Sequence, residues 1–140
     1  MGPFIISKLN ELNLNDNVLL INAQTVPENF TGKIRKENPS HIILIDACLM
    51  GLNPGDYKIV NNEDFSNIGI STHSMSLSYF VKFLNHDNIL FIGIEPLLLE
   101  LIDQDSLGVL GADVMDFNGK LTENVEYSAN EIVGLLEELL

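Results

Sequence analysis

The chain has 140 residues, 46% of them hydrophobic, a size that fits one domain with its own core and is short for two. A formal charge of −13 repels nucleic-acid phosphates and anionic headgroups, which argues against nucleic acid or a charged lipid surface as partner. Asp46, Lys82, Asp87, Glu95 and Glu100 break the apolar runs before any reaches membrane-spanning length, and no basic flank precedes an apolar core at the start. No membrane insertion and a cytoplasmic location are therefore expected, and the one cysteine, which cannot form an internal disulfide, agrees with a reducing compartment.

In chain order, Phe4, Ile5, Leu9 and Leu12 recur at near-helical spacing behind Pro3, which predicts a helix over Phe4 to Leu14. Val18 to Ala23 reads as an apolar strand. Phe30 to Glu37 is polar around Ile34 and stops at Asn38-Pro39, as a short surface helix would. His41 to Ala47 is the second strand and Tyr57 to Val60 a short third. Leu77, Phe80, Val81 and Leu84 share one face of a helix from Ser74 to about Asn85. Asn88 to Glu95 is another buried strand, closed by Pro96. The signal weakens from Leu97 to Gly119, with an edge strand expected within Val109 to Phe117. Ala129 to Leu140 carries enough aliphatic residues for a terminal helix. Such alternation predicts an α/β fold, a three-layer α/β/α sandwich around a mainly parallel, mixed sheet. Val18 to Ala23, His41 to Ala47 and Asn88 to Ile94 are its expected inner strands.

Chemistry concentrates where these strands end. The run Ile42-Ile43-Leu44-Ile45-Asp46-Ala47 delivers a carboxylate to the C-terminal edge of the sheet and breaks at once into Cys48-Leu49-Met50-Gly51-Leu52-Asn53-Pro54-Gly55. Open α/β sheets keep their sites at that edge. His73 precedes the amphipathic helix, so a second turn can bring an imidazole beside Asp46. A metal of borderline softness accepts both donors, but two protein ligands bind weakly, so a metal carried by the substrate is the expected partner. Simpler readings hold elsewhere. Cys48 reads as a small buried hydrophobe, Met50 and Met75 as packing residues, and His41 and His86 as a strand start and a helix end. The acidic face of the last helix reads as solvated surface. No nucleophile triad and no Gly-rich phosphate loop supports a different hydrolase or a phosphorylase.

Four segments in order carry a resemblance: Thr25-Val26-Pro27-Glu28-Asn29, Ile45-Asp46-Ala47 with Met50 to Gly55, Thr72-His73-Ser74-Met75, and Phe91-Ile92-Gly93-Ile94-Glu95-Pro96. The chain resembles the hydrogenase maturation endopeptidases from Gly2 to about Pro96, and more weakly from Asp113 to Leu140. The resemblance implies a peptidase that removes the C-terminal extension of a [NiFe] hydrogenase large subunit after nickel insertion. It implies Asp46 and His73 as the catalytic, metal-contacting residues and Glu28 in a substrate-groove loop. It also implies Ni²⁺ presented by the large-subunit precursor, with Zn²⁺ or Cd²⁺ as surrogates. Gln24, Ser76 and the stretch Leu97 to Leu110 depart from the family pattern.

The family's third carboxylate lies in an acidic loop that ends at a Gly-Pro pair resembling Gly2-Pro3. About one strand and that loop, on the order of 15 to 20 residues, are therefore expected to be missing ahead of Gly2, by a start chosen inside a longer reading frame or by real truncation. On that reading residues 1–140 form a single, N-terminally incomplete domain. Its exposed strand edges would allow a homodimer. The alternative function is a non-catalytic module of the same fold that binds metal or large subunit.

Overall fold

A computed structural model describes residues 1–61, 64, 75–99, 111–113 and 120–140. The elements run α1 (Gly2–Glu11), a 3-10 turn (Pro27–Phe30), α2 (Thr31–Glu37), β1 (Ile42–Ala47), β2 (Tyr57–Asn61), α3 (Met75–Leu84), β3 (Ile89–Ile94), β4 (Leu97–Leu99), β5 (Gly111–Asp113) and α4 (Glu123–Leu139).

The sheet is mixed. β3 lies in the middle, parallel to β1 with Asp46 opposite Gly93, and antiparallel to β2 with Tyr57 opposite Ile94. β4 and β5 form a separate antiparallel pair, Leu97 opposite Asp113, so an edge strand does lie inside Val109 to Phe117. Side chains along a strand alternate between faces, and the core divides accordingly. Ile42, Ile89 and Phe91 join Phe80, Val81 and Leu84 of α3, with Leu44 and Ile34 of α2 packed alongside. Ile92 and Ile94 join Ile5 and Leu9 of α1 and Val125, Ala129, Ile132 and Leu136 of α4, with Ile43, Ile45 and Ala47 against them. Helices therefore cover both faces.

Local chemistry explains the boundaries. α2 ends because Asn38 adopts the left-handed conformation (φ 47°) and returns its N–H to the Ile34 carbonyl, just ahead of Pro39. Arg35 fastens α2 to α3, its Nη2 donating to the Phe83 carbonyl at 2.8 Å and its guanidinium lying 4.6 Å from the Phe83 ring centroid. At the opposite end of the sheet from Asp46, His86 Nδ1 accepts the Asn88 N–H at 3.1 Å, so Nε2 carries the proton and donates to the Pro39 carbonyl at 2.8 Å. His86 thus ties the entries of β1 and β3 together, a structural task.

Three expectations are corrected. Val18 to Ala23 is not a strand: it belongs to no ladder among the described residues, and it buries part of Leu20 against α1 and α4 while Leu19 stays 46% exposed. An apolar run measures burial, whereas a strand also needs a partner edge. β1 likewise bonds on one side only among the described residues, where β3 is the strand paired on both sides and the sheet is mixed, with one parallel and one antiparallel pairing. The last helix begins at Glu123, not at Ala129, because Val125 and Ser128 also face the core behind Thr122 at the N-cap position. No helix among the described residues is long and apolar enough to cross a membrane.

Candidate functional site

The strand order dictates the site. β1 and β3 are parallel, so both end at the same edge, and β2 starts there because it runs the other way. The chain must therefore cross the end of β3 to pass from β1 to β2. Residues 48–56 make that crossing, and Glu95, the first residue after β3, lies under it.

Asp46 sits next to last in β1, exposed as the sheet-edge argument requires, with Oδ1 accepting the Ala47 N–H at 2.8 Å. Ladder geometry turns the Ala47 N–H away from β3, since alternate residues face it, Ile42 donating to the Asn88 carbonyl and Cys48 to that of Ile94. Asp46 thus satisfies a donor on the side of β1 away from β3. The start of α1 lies close by: a Cβ on Gly2 would stand 3.4 Å from the Ile45 carbonyl oxygen, and the Asp46 charge partly opposes the lowering that burial imposes on the Met1 amine.

Cys48 follows, its N–H continuing the ladder to Ile94 O at 2.9 Å and its side chain 1% exposed. Burial, then the charges of Glu95 and Asp46, push its thiol up to about 12. It remains a protonated hydrophobe at neutral pH, as the sequence suggested, and is no ligand or nucleophile in that state. Met50 packs against the α3-side core, also as expected.

Glu95 is the residue that sequence reasoning passed over. It is 3% exposed, and one oxygen, Oε2, accepts the N–H of Met50 at 2.6 Å and of Leu52 at 3.2 Å. Its main chain does the same further along the crossing, accepting from Gly55 N at 2.8 Å and donating to Asp56 O at 2.8 Å. The turn between is closed by Asp56 Oδ2, which accepts from Asn53 N at 3.3 Å and Asn53 Nδ2 at 3.1 Å. The signal for Glu95 was present in the sequence, where a lone carboxylate closes an apolar run as Asp46 does. It was absorbed by reading Pro96 as a strand stop.

Of the other expected site residues, Glu28 lies exposed in the 3-10 turn, and its carbonyl accepts the Thr31 hydroxyl at 2.7 Å. That turn packs on α2 and α3. His73 lies outside the described residues. Among the described residues no group of three or more His, Cys, Asp or Glu is arranged to hold a metal ion.

A mixed α/β domain that presents a carboxylate at the C-terminal sheet edge is built as α/β enzymes of open sheets are. A sequence model described as hydrogenase maturation protease matches residues 3–138, and the chain belongs to that family. A Methanocaldococcus jannaschii protein named for the same family is 31% identical over 127 residues, 89% of this chain and 65% of that protein. The hydrogenase 3 maturation protease of Escherichia coli K12 is 35% identical over 83 residues, 57% of this chain and 53% of that protein. The chain thus spans between half and two thirds of the length of these curated relatives. In structure it is similar to the endopeptidase HycI from Escherichia coli (TM-score 0.72, 25% identity, 98% of this chain and 79% of that one). It also shares its fold with a [NiFe] hydrogenase maturation protease HycI from Thermococcus kodakarensis (TM-score 0.70, 23% identity, 99% and 81%).

Proposed function

We propose that this chain is the working domain of an endopeptidase that removes the C-terminal extension of a [NiFe] hydrogenase large subunit once nickel has been inserted. The observation that carries the reading is the family match over nearly the whole chain, in which an exposed carboxylate stands at the sheet edge that serves α/β enzymes. Nickel arrives as part of the substrate and, when bound, polarises the scissile carbonyl. Asp46 and His73 contact that nickel and so register whether it is present. A carboxylate at the edge takes the proton of the attacking water. The family's third carboxylate precedes a Gly-Pro pair, and Gly2 lies close to the β1 backbone beside Asp46, so an acidic side chain carried just ahead of such a pair would reach the same place. Glu28 contributes to the groove that takes the extension. Zn²⁺ or Cd²⁺ can stand in for nickel on these donors, and the reaction belongs in the cytoplasm, where nickel insertion precedes it.

The test is a gel-mobility assay on a nickel-loaded large-subunit precursor, with the chain alone, the chain extended by an acidic loop, and Asp46→Ala and His73→Ala in both. The extended chain should cleave faster than the short one, and each substitution should cost about 100-fold or more with circular dichroism unchanged. Full cleavage by both variants would overturn the site assignment. Binding of precursor by the extended chain without cleavage would make the domain a large-subunit binding module.

A further inference from the structure

We infer that Glu95 is a positioning residue for this site, its buried carboxylate holding the Cys48–Leu52 segment over the end of β3 and thereby fixing where β1 delivers Asp46. The inference rests on the protease reading only for the reaction it affects; the loop assignment stands on geometry. Three observations carry it. The segment that leaves Asp46 must turn across β3, and a turning backbone leaves amides unpaired at a part-buried place. Met50 and Leu52 point theirs at a single oxygen of Glu95, at 2.6 and 3.2 Å. Gly55 and Asp56 are then fastened to the same residue through its main chain, so the crossing is referenced to one point at the end of β3.

Glu95 is also too deeply buried, at 3% exposure, to meet a peptide itself, and its Oε2 is occupied by amides. Its effect on Asp46 must pass through the intervening backbone. That path is short: Cys48 N–H bonds Ile94 O immediately before Glu95, and Ala47 N–H is the donor that Asp46 Oδ1 holds. If Met50 and Leu52 are released, the exit of β1 loses its fixed direction and the Asp46 carboxylate its fixed height above the sheet.

Because one oxygen accepts both bonds, an amide oxygen in its place can accept them too, more weakly without the charge, whereas an apolar side chain cannot. The experiment compares Glu95→Gln with Glu95→Leu, and with Glu95→Met as an unbranched apolar variant of similar length should Leu fail to fold. Amide hydrogen exchange is measured at Met50 and Leu52, with Ile92 and Ile94 as core references, beside cleavage of the nickel-loaded precursor. We expect Leu or Met to speed exchange at Met50 and Leu52 about tenfold or more, leave Ile92 and Ile94 protected, and slow cleavage about tenfold, while Gln stays within about threefold of the parent in both. Unchanged exchange and cleavage in the apolar variants would overturn the inference. So would a Gln variant as impaired as Leu, since charge rather than an acceptor would then be what matters. If the parent itself leaves the precursor uncut, the protease reading fails, and the exchange pattern still decides whether Glu95 holds the loop.

Discussion

Gly93 is where the central strand and the crossing loop meet most closely, and replacing it with alanine puts a number on that contact. A Cβ at Gly93 would stand 2.8 Å from Cε1 of Phe91, 3.1 Å from the Met50 sulfur and 3.3 Å from Cys48 Cβ. Three groups would have to move, two of them on the loop that leaves Asp46. Overpacking of this kind costs about 1 to 3 kcal/mol. Alanine also restricts the unfolded chain, which returns about 0.4 to 1 kcal/mol. The net expectation is a loss of about 1 to 2 kcal/mol, measured as a lower urea midpoint at unchanged slope. The source of the loss can be isolated by Phe91→Leu, whose side chain lacks the atom in closest conflict. Gly93→Ala and Phe91→Leu together should cost less than the sum of the two alone, by about 0.5 kcal/mol or more. A Gly93→Ala chain as stable as the parent would show that the loop has slack at Met50 and would refute this close packing. Additive costs would show that Phe91 is not what the new methyl meets.

Three further outcomes follow from burial and backbone geometry. Cys48, with its thiol pushed up to about 12, should resist iodoacetamide at pH 8 in the folded chain and react only in urea. The unfolded thiol ionises first, near its ordinary value of 9.0, so the stability this group contributes is present below pH 9 and is lost as pH rises towards 12; equal alkylation rates in the two states would contradict the assigned environment. Ile132→Ala removes a side chain with 0% exposure between α1, α4 and the sheet, and calorimetry or urea titration should register a loss of about 2 to 5 kcal/mol, with less than 1 kcal/mol disproving its place in the core. Gly55→Ala combines a left-handed backbone (φ 93°) with a methyl 2.8 Å from both Cβ and the carbonyl oxygen of Asn124, so it should cost about 2 to 4 kcal/mol, and a neutral result would mean that the start of α4 does not press on the loop.

The parts of this fold that could be read from sequence are those whose signal is local. Ile42 to Ala47 and Ile89 to Ile94 are continuous apolar runs between polar breaks, and they are strands. Gly2-Pro3 and Asn38-Pro39 mark helix limits through backbone chemistry alone. Val18 to Ala23 has the same composition as those strands and is none, because pairing is a relation between segments that one segment's composition does not contain. The six residues at the start of α4 were missed for a related reason: Glu123, Asn124, Glu126 and Tyr127 dilute the apolar pattern, and only the packed structure shows Val125 and Ser128 turned inward. Asp46 was legible because a charge ending an apolar run conflicts with burial and calls for an explanation. Glu95 is the same conflict, hidden by a proline that explained the strand's end equally well.

The two carboxylates show how one strand-end pattern yields two different parts. Asp46 and Glu95 follow apolar runs in neighbouring parallel strands and come out at the same edge of the sheet. Asp46 belongs to the flanking strand and stays exposed, its carboxylate reachable by an incoming group. Glu95 follows the central strand, and the sheet order forces residues 48–56 across it, which excludes solvent and surrounds it with backbone donors. A buried carboxylate left unsolvated would cost several kcal/mol, and those donors are what make its burial tolerable. The same donors make the crossing loop rigid, because loop and acid each supply what the other lacks. The division follows from the order β1-β3-β2 together with the amides that the crossing turns toward Glu95.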